Sequence, residues 1–305
     1  YFLIVILIAM VRRDTAVTYE EELKRNPELK ESDVQMLREW CATQPHLPKI
    51  SDVELAQFLH YNKFRMEPTK TNIDTYYTMK THAPEIFSNR DPVESKNLRT
   101  AFKTFACYVM DKVTDDGYNI IYAKLMVTDP SYCYYDYCVK YATMIVDLWR
   151  HTEGTCRGFV IVYNVEPFML SQLCHTSFMV LKKFLLYIQE ANPTRLGGLH
   201  LIRSPPAVQQ AGSNLHFKPQ IHFHTTTETL EKFIPLDALP NEDGGKAGNL
   251  ADLVGESVKW LENNRAWFQN DEATMRVNEL LRPGKAKTSN DLFGAEGSFK
   301  KLDID

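Results

Sequence analysis

From Tyr19 to about Phe87 apolar residues recur at helical spacing, and proline punctuates the run. EELKRNPELKESDVQMLREWCATQP puts Leu37 and Trp40 on one stripe, and Pro45 and Pro48 end it. SDVELAQFLHYNKF opens at Ser51 with Glu54 three residues on, the spacing at which hydroxyl and carboxylate satisfy each other's orphan amides. Its apolar face is Leu55, Phe58 and Leu59. A third helix is predicted from about Pro68 to His82, with Pro84 just past its end. These segments predict an all-helical amino-terminal domain over residues 19–92.

After Asn89-Arg90-Asp91-Pro92 the texture changes. NIIYAKLMV (Asn119 to Val127) and GFVIVYNV (Gly158 to Val165) are β-rich runs separated by a helical pattern, which predicts βαβ units and a parallel sheet in an α/β domain. The helices predicted from Tyr132 to about His151 and from Phe168 to Glu190 are apolar on more than one face, so they are either deeply buried or line an apolar space. GLHLI and IHFH are expected to complete the sheet. The Pro-initiated segment between them is placed to act as a flap over a cavity. A late helix, Leu250 to Gln269, carries Trp260 and Trp267, and the tail from Arg282 is expected to be disordered, although Phe293, Phe299 and Leu302 hint at docking.

The domains are therefore drawn as 19–92, 93–250 and a carboxy-terminal helix and tail over 251–305, with an apolar extension at 1–18. That extension opens with YFLIVILIAMV, which as a helix covers about 16 Å against roughly 30 Å of bilayer hydrocarbon and does not span alone. It reads as an extension unrelated to the fold or as part of a signal or anchor helix. With 305 residues, 44% of them hydrophobic, the chain can bury a large core. A net charge of −4 argues against nucleic acid as a partner. Six scattered cysteines without an N-glycosylation triplet predict reduced thiols and a cytoplasmic protein, and a monomer is expected.

His222 and His224 stand two apart on a strand and point to one face, a spacing that metal hydrolases use. HFHTTTE offers only hydroxyls before Glu228, so structural histidines are favoured and no metal is assigned. Cys133 and Cys138 lack a second pair at zinc spacing. The chain has no Gly-x-Ser-x-Gly elbow, no Walker loop and no Gly-x-Gly-x-x-Gly after a strand, and no catalytic residue is assigned. What remains is apolar surface in excess of need beside Lys182, Lys183, Arg195, Arg203 and Lys218. Each of these cations is worth on the order of 1 kcal/mol against an anionic leaflet.

FVIVYNVEPF, then KKFLLYIQEANPTRLGGLHLIRSPP, then IHFHTTTETLEKFIPLDALPNEDGG resembles the CRAL-TRIO lipid-transfer family, in its tocopherol-transfer and retinaldehyde-binding branch. The likeness runs from about Tyr19 to Asp305. It implies a helical domain beside an α/β domain whose mostly parallel sheet and flanking helices enclose a cavity for one lipophilic molecule, with no other cofactor. The wall it implies is Cys138, Tyr141, Ala142 and Ile145 on one helix, Phe159 and Tyr163 on a strand, then Thr176, Phe184, Tyr187, Ile188 and Leu199. A gate that opens at membranes is implied at Pro205 and Pro206, running through Leu215 and Phe217, with Arg195, Arg203 and Lys218 at the head-group side.

The chain departs from the family in three places. The stretch between the two prolines and IHFH is shorter, and Gly212 and Pro219 interrupt it. Gln57, His60 and Asn62 stand where the family has arginines that bind phosphoinositide, so phosphatidylinositol bisphosphate binding is implied only in part. Asn164 stands where the family usually has aspartate. The implied function is a non-enzymatic carrier of a tocopherol, retinoid or related lipid that associates transiently with membranes. The alternatives are a phosphoinositide-sensing regulator recruited to membranes and, behind both, metal-assisted hydrolysis at His222 and His224.

Overall fold

The computed structural model describes residues 12–127, 129, 134–166, 177–213 and 221–294, without the side chains of residues 207 and 211–213. Thr176, Leu215, Phe217 and Lys218 lie outside the described residues, as do the opening apolar run to residue 11, Phe299 and Leu302.

The amino-terminal domain is built from α1 (Tyr19–Arg25), α2 (Glu31–Ala42), α3 (Asp52–Tyr61), α4 (Met66–His82) and the single turn α5 (Pro84–Phe87). The capping box at Ser51 forms: its hydroxyl accepts from the Glu54 amide at 3.3 Å, and the Glu54 carboxylate accepts from the Ser51 amide at 3.0 Å. Pro68 is the third residue of α4, two positions deeper than predicted and still within the first turn, where no intrahelical amide bond is lost. Val34, Leu37, Leu55, Phe58, Leu59 and Ile73 close the core, with Trp40 packed against it.

An unpredicted helix, α6 (Lys96–Thr104), runs without a turn into an unpredicted strand, β1 (Phe105–Val113). Then follow β2 (Asn119–Leu125), α7 (Tyr135–Thr152), β3 (Phe159–Asn164), α8 (Phe178–Leu186) with a π turn over Tyr187–Ala191, β4 (Leu196–Ile202), α9 (Pro206–Ser213) and β5 (Ile221–His224). The sheet order is β1-β2-β3-β4-β5. β1 pairs antiparallel with β2, and every later pair is parallel, as the βαβ pattern predicts.

The late helix is two helices, α10 (Leu250–Asn263) and α11 (Arg265–Thr274). They part at Asn264, whose amide donates to the Trp260 carbonyl at 2.9 Å and competes with the helix ladder. The expected disorder of the tail is corrected up to residue 294. Val277 donates to Thr81 Oγ1 at 2.9 Å, Arg282 reaches Asp74 at 2.6 Å, and Phe293, at the end of α12 (Ser289–Phe293), is buried while its carbonyl accepts from Lys182. This strap ties α4 to α8. A buried ion cluster, Arg90 with Asp147 at 2.8 Å and Lys80 with Asp271 at 2.5 Å, joins the helical domain to α7 and α11.

Candidate functional site

Alternation along β3 sorts the sheet into two faces. Val160 and Val162 join Ile202 of β4 in a core closed by Leu230, Ile234, Ala238 and Leu239, while Ile161 and Tyr163 face α7. The parallel register then fixes two rungs on the α7 side: Ile161, Leu199 and Ile221 in one, Tyr163, Leu201 and Phe223 in the next. All six side chains are only partly buried, whereas Val162, Asn164, His200, Ile202 and His224 on the opposite face are buried. Leu199, Leu201, Ile221 and Phe223 belong to none of the three packed clusters formed by the described residues. Leu181 and Leu185 of α8 are likewise part-exposed and outside those clusters. A sheet floor and a helix stripe, both apolar and neither filled by the described core, are what a lipophilic guest requires.

The implied wall residues that the structure describes separate into three groups. Cys138, Tyr141, Ile145 and Phe159 are buried in the packing of α7 on the sheet, and the Tyr141 hydroxyl donates to the Cys107 carbonyl at 2.7 Å. Tyr187 turns to the helical domain, its ring 4.9 Å from that of Phe87, and Phe184 and Ile188 pack against the same cluster. Ala142, Tyr163 and Leu199 remain part-exposed on the α7 side of the sheet. Leu181, Leu185, Leu201, Ile221 and Phe223 complete the floor and stripe. Strict period-two reading of LHLI and IHFH finds the last three from sequence.

α9 begins at Pro206 and packs against β5, so the segment expected to form the gate lies over the sheet's edge strand. It follows a charged hinge. Arg203 adopts a left-handed backbone (φ 52°) and pairs with Glu166 at 2.7 Å and Asp243 at 3.5 Å. Asp243, 1% exposed, also accepts from the Tyr122 hydroxyl and takes both carboxylate oxygens to the Asn164 amide, at 3.0 and 2.9 Å. Burial, and then Asp243, push the Tyr122 hydroxyl upward, so it stays protonated and donates. This accounts for Asn164: an aspartate there sets a second carboxylate against Asp243 in place of a donor.

Arg195 is committed elsewhere. Its guanidinium donates to the carbonyls of His60 and Tyr61 (3.2 Å to the latter) at the end of α3, where partial negative charge collects. The adjoining crevice, lined by Gln57, His60, Arg150, Thr194 and Arg195, has a volume of about 20 Å³, room for a water and not for a phosphorylated head group. Gln57 donates to the Arg150 carbonyl at 2.8 Å, and Asn62 to Phe58 and Asn72. Burial, and then Arg195, bring the His60 imidazole down to about 4, leaving it neutral at physiological pH. The replaced arginine positions thus serve as neutral packing contacts.

His222 and His224 are joined by a third imidazole that the sequence reading missed, His200, which donates or accepts at 3.0 Å from His224 and stacks on His222 with ring centres 4.7 Å apart. Among the described residues no group of three or more His, Cys, Asp or Glu could hold a metal ion. No helix among them is long and apolar enough to cross a membrane.

The described residues combine an α/β sheet with a part-exposed apolar face, a proline-initiated helix against its edge strand and a helical domain alongside. Residues 103–245 match the CRAL/TRIO domain, and residues 26–97 the Pinta-like UBA domain. The chain thus carries a CRAL/TRIO domain, beside a segment that matches the Pinta-like UBA domain. It is 24% identical to the alpha-tocopherol transfer protein-like protein of Homo sapiens over 82% of this chain and 75% of that one. It is 21% identical to Clavesin-1 of Mus musculus over 76% of this chain and 68% of that one. The solved structure of Sfh5 aligns with a TM-score of 0.49 at 13% identity, covering 84% of this chain and 98% of that one.

Proposed function

We propose that the chain carries one lipophilic molecule, a tocopherol, retinoid or related isoprenoid, on the β3–β5 floor and exchanges it at membranes, acting in the cytoplasm as a monomer without catalysis. The observation that carries this reading is the pair of apolar rungs, Ile161–Leu199–Ile221 and Tyr163–Leu201–Phe223, left part-exposed while on the opposite face of the same strands all but His222 are buried. Covering such a floor with a guest contributes about 25 cal/mol per Å² of apolar surface removed from water, so affinity needs few polar contacts. Specificity then rests on cavity shape, with Tyr163 contributing the hydroxyl of the floor.

Mass spectrometry of lipid extracted from protein purified from cells tests the reading, together with competition against a fluorescent tocopherol or retinoid. Protein that contains no lipid and does not compete with either probe refutes it. A phosphoinositide-sensing regulator is the rival. It requires Arg203 to leave Glu166 and Asp243, or Arg195 to leave the α3 carbonyls, because these cations are already engaged. Vesicle pelleting with and without phosphatidylinositol bisphosphate separates the two, since a carrier transfers its ligand without that lipid.

A further inference from the structure

The face of β4 and β5 opposite the floor carries three imidazoles in direct contact, His200 and His224 buried and His222 part-exposed. His200 stacks on His222 at 4.7 Å and 10° and lies 5.3 Å from His224. The hydrogen bonds among them have a direction. Thr229 Oγ1 gives its proton to the Thr226 carbonyl at 3.0 Å, so toward His224 it can only accept, at 2.9 Å from Nδ1. His224 therefore carries its proton on Nδ1, and its bare Nε2 accepts from His200 Nδ1 at 3.0 Å. The chain His200 to His224 to Thr229 to Thr226 requires a neutral His224 with a bare Nε2. A proton added at His224 Nε2 turns an acceptor into a donor facing another donor. Gly198 leaves the room in which these rings stack, since a methyl group there meets His200 Nε2 at 3.0 Å.

Among the described residues no counter-charge sits against these rings. On β4 the next charged group is Arg203, engaged by Glu166 and Asp243. On β3 the residues of this face are Val160, Val162 and Asn164. The covering turn brings Thr229 and Phe233, whose ring is 4.7 Å from those of His200 and His222, while its charged residues Glu228, Glu231 and Lys232 are exposed. α9, PAVQQAGS, carries no charge. Among the described residues no carboxylate bonds any of the three imidazoles.

The placement gives the cluster leverage. β5 is a four-residue edge strand held on one side by β4, it bears two of the three rings, and α9 packs against it. We propose that the His200–His222–His224 stack is an acid-sensitive latch on β5: neutral rings hold the edge strand and α9 beside it, and protonation where the local pH is mildly acidic, as at an anionic membrane surface, sets like charges in contact and releases both. Burial lowers the proton affinity of all three, and for His200, brought down to about 3, the neighbouring imidazoles lower it further. A released strand returns the rings to water and to a value near 6.5, so the open form binds more protons. Closure is favoured above that value and lost progressively below it. The inference deepens the lipid-exchange reading by giving release a trigger, yet the latch itself is testable without any lipid.

Hydrogen–deuterium exchange on the full chain at about pH 7.5 and about pH 5, normalised for chemical exchange, reads it directly. Amides of β4 and β5 are expected to lose about tenfold in protection at the lower pH while β1–β2 amides do not. Equal protection at both pH values overturns the latch, whether or not the protein carries a lipid. His222→Phe keeps a stacking ring and removes one titrating group, and its acid loss should fall below about threefold. A full loss in this variant also overturns the proposal. Long-range proton–nitrogen NMR of the wild-type imidazoles needs no variant: both His200 and His224 should be Nδ1-protonated at neutral pH, and the opposite tautomer at His224 removes the mechanism.

Discussion

Replacing Asp243 by alanine tests the buried network beneath the turn at Arg203. The carboxylate is 1% exposed, accepts from the Tyr122 hydroxyl and twice from the Asn164 amide, and lies 3.4 Å from Lys124 and 3.5 Å from Arg203. Its removal strands two buried donors, each costing about 1–3 kcal/mol. Lys124 and Arg203 retain access to water, so their share is small and is taken as below about 1 kcal/mol. The sum, about 2–7 kcal/mol, is a large part of the roughly 5–15 kcal/mol that holds a domain folded. Urea unfolding followed by tryptophan fluorescence measures it, with Asp243→Asn, which keeps one acceptor oxygen, losing about half as much. Asn164→Asp should lose a comparable amount to Asp243→Ala, because it replaces a donor by a like charge about 3 Å away in a buried site. A change within about 1 kcal/mol of the parent for Asp243→Ala would falsify the claim that this network organises the turn.

The remaining predictions address the strap, a tight crossing and the floor. Burial pushes the Asp74 carboxyl up, but Lys287, Arg282 and His46 outweigh it and hold the group down to about 2. That stability is present above the ordinary value near 3.8 and is lost as pH falls through about 2, so Asp74→Asn should cost about 2 kcal/mol at neutral pH in a denaturant titration, with the gap closing below about pH 4. Gly158 has φ +140°, and a Cβ there meets the Arg195 carbonyl at 2.3 Å; Gly158→Ala should lower stability by about 2 kcal/mol or more in a thermal melt, and an unchanged melting temperature would contradict it. Leu201→Glu sets a carboxylate on a half-exposed floor position, so stability should drop by no more than about 1–2 kcal/mol while bound lipid, counted by mass spectrometry, falls at least about tenfold. Normal lipid loading in that variant counts against the floor.

Local chemistry was read from the chain wherever the signal is local. The Ser51–Glu54 capping box and the parallel strand pattern are where the residues placed them, because a cap depends on four neighbouring residues and a strand on its own alternation. β1 escaped because α6 enters it without a turn residue and its partner β2 runs antiparallel, a pairing settled by tertiary contact. The site divides the same way. Resemblance carried over positions on α7 and α8, yet Tyr141 and Tyr187 are spent on the Cys107 carbonyl and the Phe87 ring, contacts that lie 34 and 100 residues away in sequence and leave no periodic trace. The floor obeys parity instead. Once Ile161 is assigned to the α7 face, the register forces Leu199 and Ile221 onto it, and a one-residue slip would put His200 and His222 there in their place. The same parity that exposes an apolar floor to a guest therefore gathers the three imidazoles behind it, so any event that shifts β5 against β4 acts on both faces at once.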